Sequence, residues 1–412
     1  MFKLIIKQLW SRKKNNVWLF IELVIVTVVS WVVLDSVIVS VYDGQRPLGY
    51  DADRLCLINL ADRDSDKEDM DEAMELFKSK LMQRGEVENV CRLGYFYPDN
   101  IEGNTYGNSL YADSLNEVGY SLFQIWNGEP LLQTYGIRVV SGGLSVEDID
   151  MGNYPKDELV MTESMARLLC GTEQAAGRYV HRFNGDSARI AAVLSDVRMN
   201  SSSADAAVVF DTEYTWGAKL LVRLKPGVSP RHFAEEAGEW AVQELRTSKI
   251  YARNITVYED EAEKLNECNG YTNTIRMNIV FAVFFLFNLC IGVVCTFWLQ
   301  TRQRSEEVGV MRAFGATARR VVVQIMLEGF FLTTAAFIIG CLVYMQYVWN
   351  ESLYMGYADC PRTDWVGHFG IHFAVVSAIV FLIMLVVVGI GIYIPVRGIS
   401  RRATVEALNS DE

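Results

Sequence analysis

Four runs of apolar residues dominate the chain, and each is long enough to cross a bilayer. A span needs about 20 such residues to match the hydrocarbon core. The runs are Val17–Val41, Met277–Leu299, Val321–Val348 and Ile371–Val396, all rich in Val, Ile, Leu and Phe. Lipid offers no hydrogen-bonding partner, so such runs must be helices that satisfy their own backbone. Lys3, Lys7, Arg12, Lys13 and Lys14 precede the first run, as they would a secretory signal. However, the run exceeds the usual ~7–15 residue apolar stretch, and Val37–Tyr42 is no small-residue cleavage site. It reads as a span.

Orientation follows from basic residues in the short loops, which stay cytoplasmic. The N-terminal tail holds five. The loop between spans two and three holds Arg302, Arg304, Arg312, Arg319 and Arg320, and the C-terminal tail Arg397, Arg401 and Arg402. The loop between spans three and four has only Arg362. Both termini and the middle loop are therefore expected in the cytoplasm. Residues 1–16 form an amphipathic lead-in, 17–41 the first span and 42–276 an outer domain. Residues 277–299 form the second span, 300–320 a cytoplasmic loop, 321–348 the third span and 349–370 a short outer loop. Residues 371–396 form the fourth span and 397–412 the tail.

Charge divides along the same lines. The cytoplasmic pieces carry 13 basic and five acidic residues, the outer segment 24 basic and 39 acidic. An acidic outer domain suits solubility, or a cationic or neutral partner. The overall net charge of -12 argues against binding nucleic acid, whose phosphates need a basic surface.

The outer segment mixes helical and strand patterns. Asp64–Met82 places Met70, Ala73, Met74, Phe77 and Leu81 at helical spacing. Pro230–Arg246 reads as a second helix, with Ser229 as N-cap and Pro230 at its first position. Leu55–Leu60, Glu158–Met161, Ala188–Leu194, Ala206–Phe210 and Leu220–Leu224 read as strands, and Asn184-Gly185-Asp186 as a hairpin turn. The expected fold is an α-helical membrane protein with four transmembrane helices. A large α+β extracytoplasmic domain is inserted between helices 1 and 2.

Catalytic motifs are missing. There is no G-x-x-x-x-G-K-[ST], H-E-x-x-H, C-x-x-C or G-x-S-x-G. His368 and His372 stand four apart at a membrane boundary and do not make a metal site by themselves. No catalytic or metal-binding residue is expected, so the chain reads as a non-enzyme. Cys56, Cys91, Cys170, Cys268 and Cys360 face outward, where spacing permits one disulfide without naming the pair. Glu22, Asp35 and Glu328 are ionisable groups inside the spans. They read as snorkelling or inter-helix hydrogen-bonding groups, with a proton relay as the alternative and no basic partner within any span.

The loop 300–320 reads "QTRQRSEEVGVMRAFGATARR". Ser305 can cap a short helix with Glu306 and Glu307 in its first turn, Gly315 can break it, and Thr317 can cap the next helix. Arg304, Glu307, Val308, Gly309, Val310, Met311, Arg312, Ala313, Gly315 and Ala316 match in order a signature written "R..EiGvlrAlGas", with Phe314 in place of Leu. The loop thereby resembles the MacB/FtsX-like ABC permease family. The tail from Ile394 to Leu408 is similar to the family's "P…ASr.dP.eALr", with Thr404 for Pro and Ile399 for Ala. The stretch from Glu158 to Arg198, closing on "ARIAAVLSDVR", resembles the MacB-type periplasmic core domain.

The resemblance implies a multi-pass permease subunit of the bacterial inner membrane. It implies a cytoplasmic ABC ATPase partner that carries ATP and Mg, while this chain binds no cofactor. A second permease copy or paralogue would complete a dimer, with Gly389 and Gly391 as close-approach points. ATP-driven helix motion would reach the outer domain, a process called mechanotransmission. Efflux of a drug or peptide is the leading reading, which adds a membrane-fusion protein and an outer-membrane channel as candidate partners. Lipoprotein release and an FtsX-like scaffold for a cell-wall hydrolase are the alternatives. A bulky residue at Gly309, or Lys at Glu307, is expected to uncouple the ATPase and leave folding intact.

Overall fold

The computed structural model describes residues 13–63, 67–100, 107–112, 117–126, 128–182, 184–200, 207–211, 217–303, 309–311, 313–350 and 362–400. They divide into two units. One is the membrane unit; the other comprises Tyr42–Asn273 with Tyr357–Gly367.

The described residues open with α1 (Lys13–Gln45) and enter the outer unit through β1 (Leu55–Asp62), α2 (Lys67–Met82) and β2 (Val87–Arg92). The middle portion holds β3 (Gly107–Tyr111), β4 (Glu117–Gln124), α3 (Leu131–Tyr135), β5 (Val139–Gly142), α4 (Val146–Asp150), β6 (Leu159–Thr162), α5 (Glu163–Cys170), β7 (Tyr179–Arg182), β8 (Ser187–Leu194) and β9 (Val208–Asp211). The outer unit then closes with β10 (Lys219–Leu224), α6 (Pro230–Glu244), β11 (Ile250–Val257) and α7 (Tyr258–Cys268). Three long helices follow among the described residues: α8 (Tyr271–Gln303), α9 (Ala318–Asn350) and α10 (Phe369–Ser400).

The first and last outer strands form a four-stranded antiparallel sheet in the order β11-β1-β10-β2. Each half is a strand–helix–strand unit interleaved with the other, a split βαβ arrangement. Helices α2 and α6 cover one face. Met70, Met74, Phe77 and Leu81 meet Phe233, Ala237 and Ala241 in one core, at the spacing the sequence shows. Ser229 caps α6 by accepting from the His232 amide, with Pro at the start of the helix.

The middle strands form a mixed sheet in the order β5-β8-β6-β9-β4-β3-β7. A further pairing of β7 with β8 closes six of these strands into a ring. The hairpin that makes this closure turns at Gly185, whose φ of +88° suits glycine. A second core lies between the two sheets, where Leu55, Leu57 and Leu221 meet Phe123, Val160 and Phe210. Tyr135 and Tyr258 are fully buried there, and their hydroxyls share a hydrogen bond of 3.0 Å.

In the membrane unit, α1, α8, α9 and α10 are each long and apolar enough to span a bilayer. Leu19, Leu23 and Trp31 of α1 pack with Val321, Ile325 and Ala336 of α9 and Val376, Val380 and Met384 of α10. Close approach is set by glycine. A Cβ at Gly340 would lie 2.6 Å from Thr27 Cβ, so α9 meets α1 without a side chain at that point. Gly389 packs against Phe330 of the same chain, and Gly391 is buried. Helix α8 leaves most of its apolar surface open, including Met277, Val280, Phe284 and Phe287.

Candidate coupling site

The expected site is the loop between α8 and α9. Arg304, Glu306, Glu307, Val308 and Arg312 lie outside the described residues. Gly309–Met311 and Ala313 are helical. The Phe314 amide donates to the Val310 carbonyl and the Ala316 amide to the Met311 carbonyl, both at 3.0 Å. Gly315 sits between them at φ +88°. This left-handed glycine with back-reaching bonds satisfies the last carbonyls of the short helix. Thr317 Oγ1 then accepts from the Arg320 amide at 3.3 Å and caps α9. Both terminators are residues that sequence reasoning singled out.

The turn has two faces. Gly309 is buried, and Met311 and Ala316 pack against the helix core. Ala313 is exposed, Val310 is 48% exposed and Phe314 is 89% exposed. Burial of Gly309 corrects one expectation. A bulky residue there meets packed atoms, so folding is not left untouched. Phe314, which the sequence marks only as a replacement for Leu, is the large apolar group the turn leaves open to solvent.

The three intramembrane acids have separate environments. Glu22 Oε2 accepts from Thr296 Oγ1 at 3.1 Å, and a Cβ at Gly292 would lie 2.9 Å from its other oxygen. Glu328 is buried, 6% exposed, on α9. Asp35 Oδ1 lies 2.6 Å from His372 Nε2 on α10. The expectation that no span offers a basic partner is therefore wrong for Asp35. Its partner lies 337 residues away, beyond the reach of any local pattern. Trp31 stacks on Tyr344 at 4.0 Å and donates to Ser377 Oγ at 3.0 Å close by.

The outer unit explains its family-like residues by packing. Asp196, in the "SDVR" run, accepts from the Ser164 amide at 2.7 Å and the Ser164 hydroxyl at 2.6 Å, anchoring the first turn of α5. Asp150 accepts from the amides of Leu132 and Gln133 at the start of α3. Burial nonetheless pushes its carboxyl up to about 7, against those amide bonds. Cys56, Cys91, Cys170 and Cys268 are free thiols. Burial pushes Cys56 up to about 12 and raises Cys91 further, so neither is a ready nucleophile. A cleft of about 380 Å³ opens beside β1, β10 and β11, where Lys219 donates to Tyr97 Oη at 2.9 Å and Asn100 Oδ1 at 3.1 Å.

Four spanning helices, an α+β domain between the first two and a capped turn between the second and third define a multi-pass membrane protein built around an extracytoplasmic insert. Residues 279–403 match the FtsX-like permease C-terminal family. The outer unit is similar to the periplasmic region of MacB from Actinobacillus actinomycetemcomitans, at 12% identity and TM-score 0.32, over 53% of this chain and 94% of that one. It is also similar to the extracellular domain of the noncanonic ABC-type transporter YknZ from Gram-positive bacteria, at 14% identity and TM-score 0.29, over 48% and 100%. No curated protein matches the chain.

Proposed function

We propose that the chain is the permease subunit of an ABC transporter. A separate cytoplasmic ATPase, holding ATP and Mg, docks on the turn between α8 and α9. Hydrolysis there moves the helices, and the motion is delivered to the outer domain. The cargo is a drug or peptide leaving the cell, and a second permease copy or paralogue completes the transporter through the open face of α8. The observation that carries this reading is the turn itself. One face is seated on the helix core through Gly309, Met311 and Ala316, and the other presents Phe314 to solvent. A seated turn transmits a push on its outer face into α8 and α9, which a loose loop would absorb.

The test is purification of the tagged full chain in mild detergent, with mass spectrometry of what accompanies it. Stoichiometric recovery of an ABC ATPase supports the reading. A membrane-fusion protein and outer-membrane channel beside it select efflux. A lipoprotein carrier, or a cell-wall hydrolase, selects release or scaffolding instead. Intact, inserted protein without any ATPase overturns the reading.

A further inference from the structure

Arg362 is the single basic residue between α9 and α10, and topology alone gives it no task. In the structure its side chain is only 3% exposed. Its guanidinium grips the Asp43 carboxylate with two bonds, Nη2 to Oδ1 at 2.7 Å and Nη1 to Oδ2 at 3.1 Å. Asp43 belongs to the last turns of α1 and is itself buried. The same guanidinium donates to Asp364 at 3.0 Å and 2.7 Å, and Arg46 of the outer unit reaches Asp364 at 3.3 Å.

The loop is shaped for this grip. The Gly367 amide folds back onto the Asp364 carboxylate at 3.2 Å. A Cβ at Gly367 would lie 2.5 Å from the Arg362 carbonyl, so only glycine lets the turn close. Residues up to Gly367 group with the outer unit, although the helices they join do not.

The end of α1 is held from a second side. Arg198, which follows β8, donates Nη1 to the carbonyls of Asp43 and Arg46 at 3.0 Å and 3.1 Å. Asp43 lies in the last turn of α1, where a cation is favoured, and Arg46 directly follows the helix. The α1 end is thus tied both to the body of the outer domain and to the α9–α10 connection.

We infer that residues 362–367 are a strap that fixes the α9–α10 connection to the outer end of α1, with Arg362 as its positioning residue. Displacement of the α9–α10 connection is then shared with the end of α1. A forked, desolvated Arg–carboxylate pair is suited to this because its geometry is fixed and salt does not screen it. This rests on the coupling role proposed above.

The test uses the full chain with its co-purified ATPase in lipid nanodiscs, comparing wild type, R362Q and R362K by hydrogen exchange and ATP hydrolysis. In the resting state, R362Q raises exchange in residues 362–367 and 44–48 by on the order of tenfold. R362K keeps the charge and restores most of the protection. With ATP and vanadate, wild type changes exchange in the outer domain. R362Q hydrolyses ATP within about twofold of wild type but loses that outer change, and R362K retains part of it. Unchanged resting exchange in R362Q shows that no strap exists. An outer response in R362Q equal to wild type shows a strap that does not transmit. Absence of any outer response in wild type instead removes the coupling reading itself, and the inference with it. Thermal unfolding of R362K keeps the comparison valid should R362Q fail to fold.

Discussion

Truncating Phe314 to Ala removes the most exposed large apolar side chain of the turn between α8 and α9. At 89% exposure the ring makes little contact within its own chain, so the permease should unfold within about 0.5 kcal/mol of wild type. A partner that buries it gains the transfer free energy of a phenylalanine side chain, about 1.5–3 kcal/mol. At 1.4 kcal/mol per tenfold, that is roughly a 10- to 100-fold loss of ATPase affinity. The ring also stands within residues of the turn that pack on the helix core, through Met311 and Ala316, so the lost contact reports on docking at this turn. The assay is titration of the purified ATPase onto permease in nanodiscs, reading binding and stimulated hydrolysis together. Weaker binding, with hydrolysis recovered at high ATPase concentration, is the expected result. An unchanged dissociation constant would refute the assignment of this face as the docking surface.

Further outcomes follow from other contacts. Glu307→Lys should lower stimulated ATP hydrolysis and leave the thermal midpoint of the permease unchanged; equal stimulation would count against the loop. Gly340→Ala should destabilise the helix unit by about 1–3 kcal/mol, because the new methyl meets Thr27, and a detergent melting curve identical to wild type would refute that packing. Asp150 has a folded value of about 7, above its unfolded one, so the native state holds its proton more tightly. Its contribution to stability is present at acidic pH and is lost as pH rises through about 7, by a ceiling of about 4 kcal/mol. Asp150→Asn should flatten that part of the melting temperature's pH dependence, and an unaltered slope between pH 5 and 8 would contradict it.

Much of this architecture is legible in local patterns. The spans, the amphipathic α2 and the caps at Ser229, Gly315 and Thr317 are set by residues within a turn or two of one another. Such signals are local, so a single sequence exposes them. The closure of the outer ring was half legible: the β7–β8 hairpin shows in Asn184-Gly185-Asp186, but the pairing of β7 with the distant β3 is tertiary and leaves no local pattern. The Asp35–His372 pair and the Arg362–Asp43 fork join residues more than 300 positions apart. Arg362 illustrates the limit best. As one charge in a short loop it weighs on topology alone, and its burial becomes visible only when its partners are in place. Phe314 was masked differently: Leu and Phe are interchangeable in a pattern, and exposure is no property of a pattern.

The closed ring also has a consequence for life at a crowded surface. An open sheet presents a row of unsatisfied amides and carbonyls that a neighbouring chain can zip onto. Among the described residues of this sheet, β5 alone has a single partner strand, and it is four residues long, ending at a glycine. At the ring, therefore, copies of the domain that meet side by side find little backbone to template on, and the longer strand edges are those of β11 and β2 in the four-stranded sheet. Contact across the ring is then made by side chains, which can let go again.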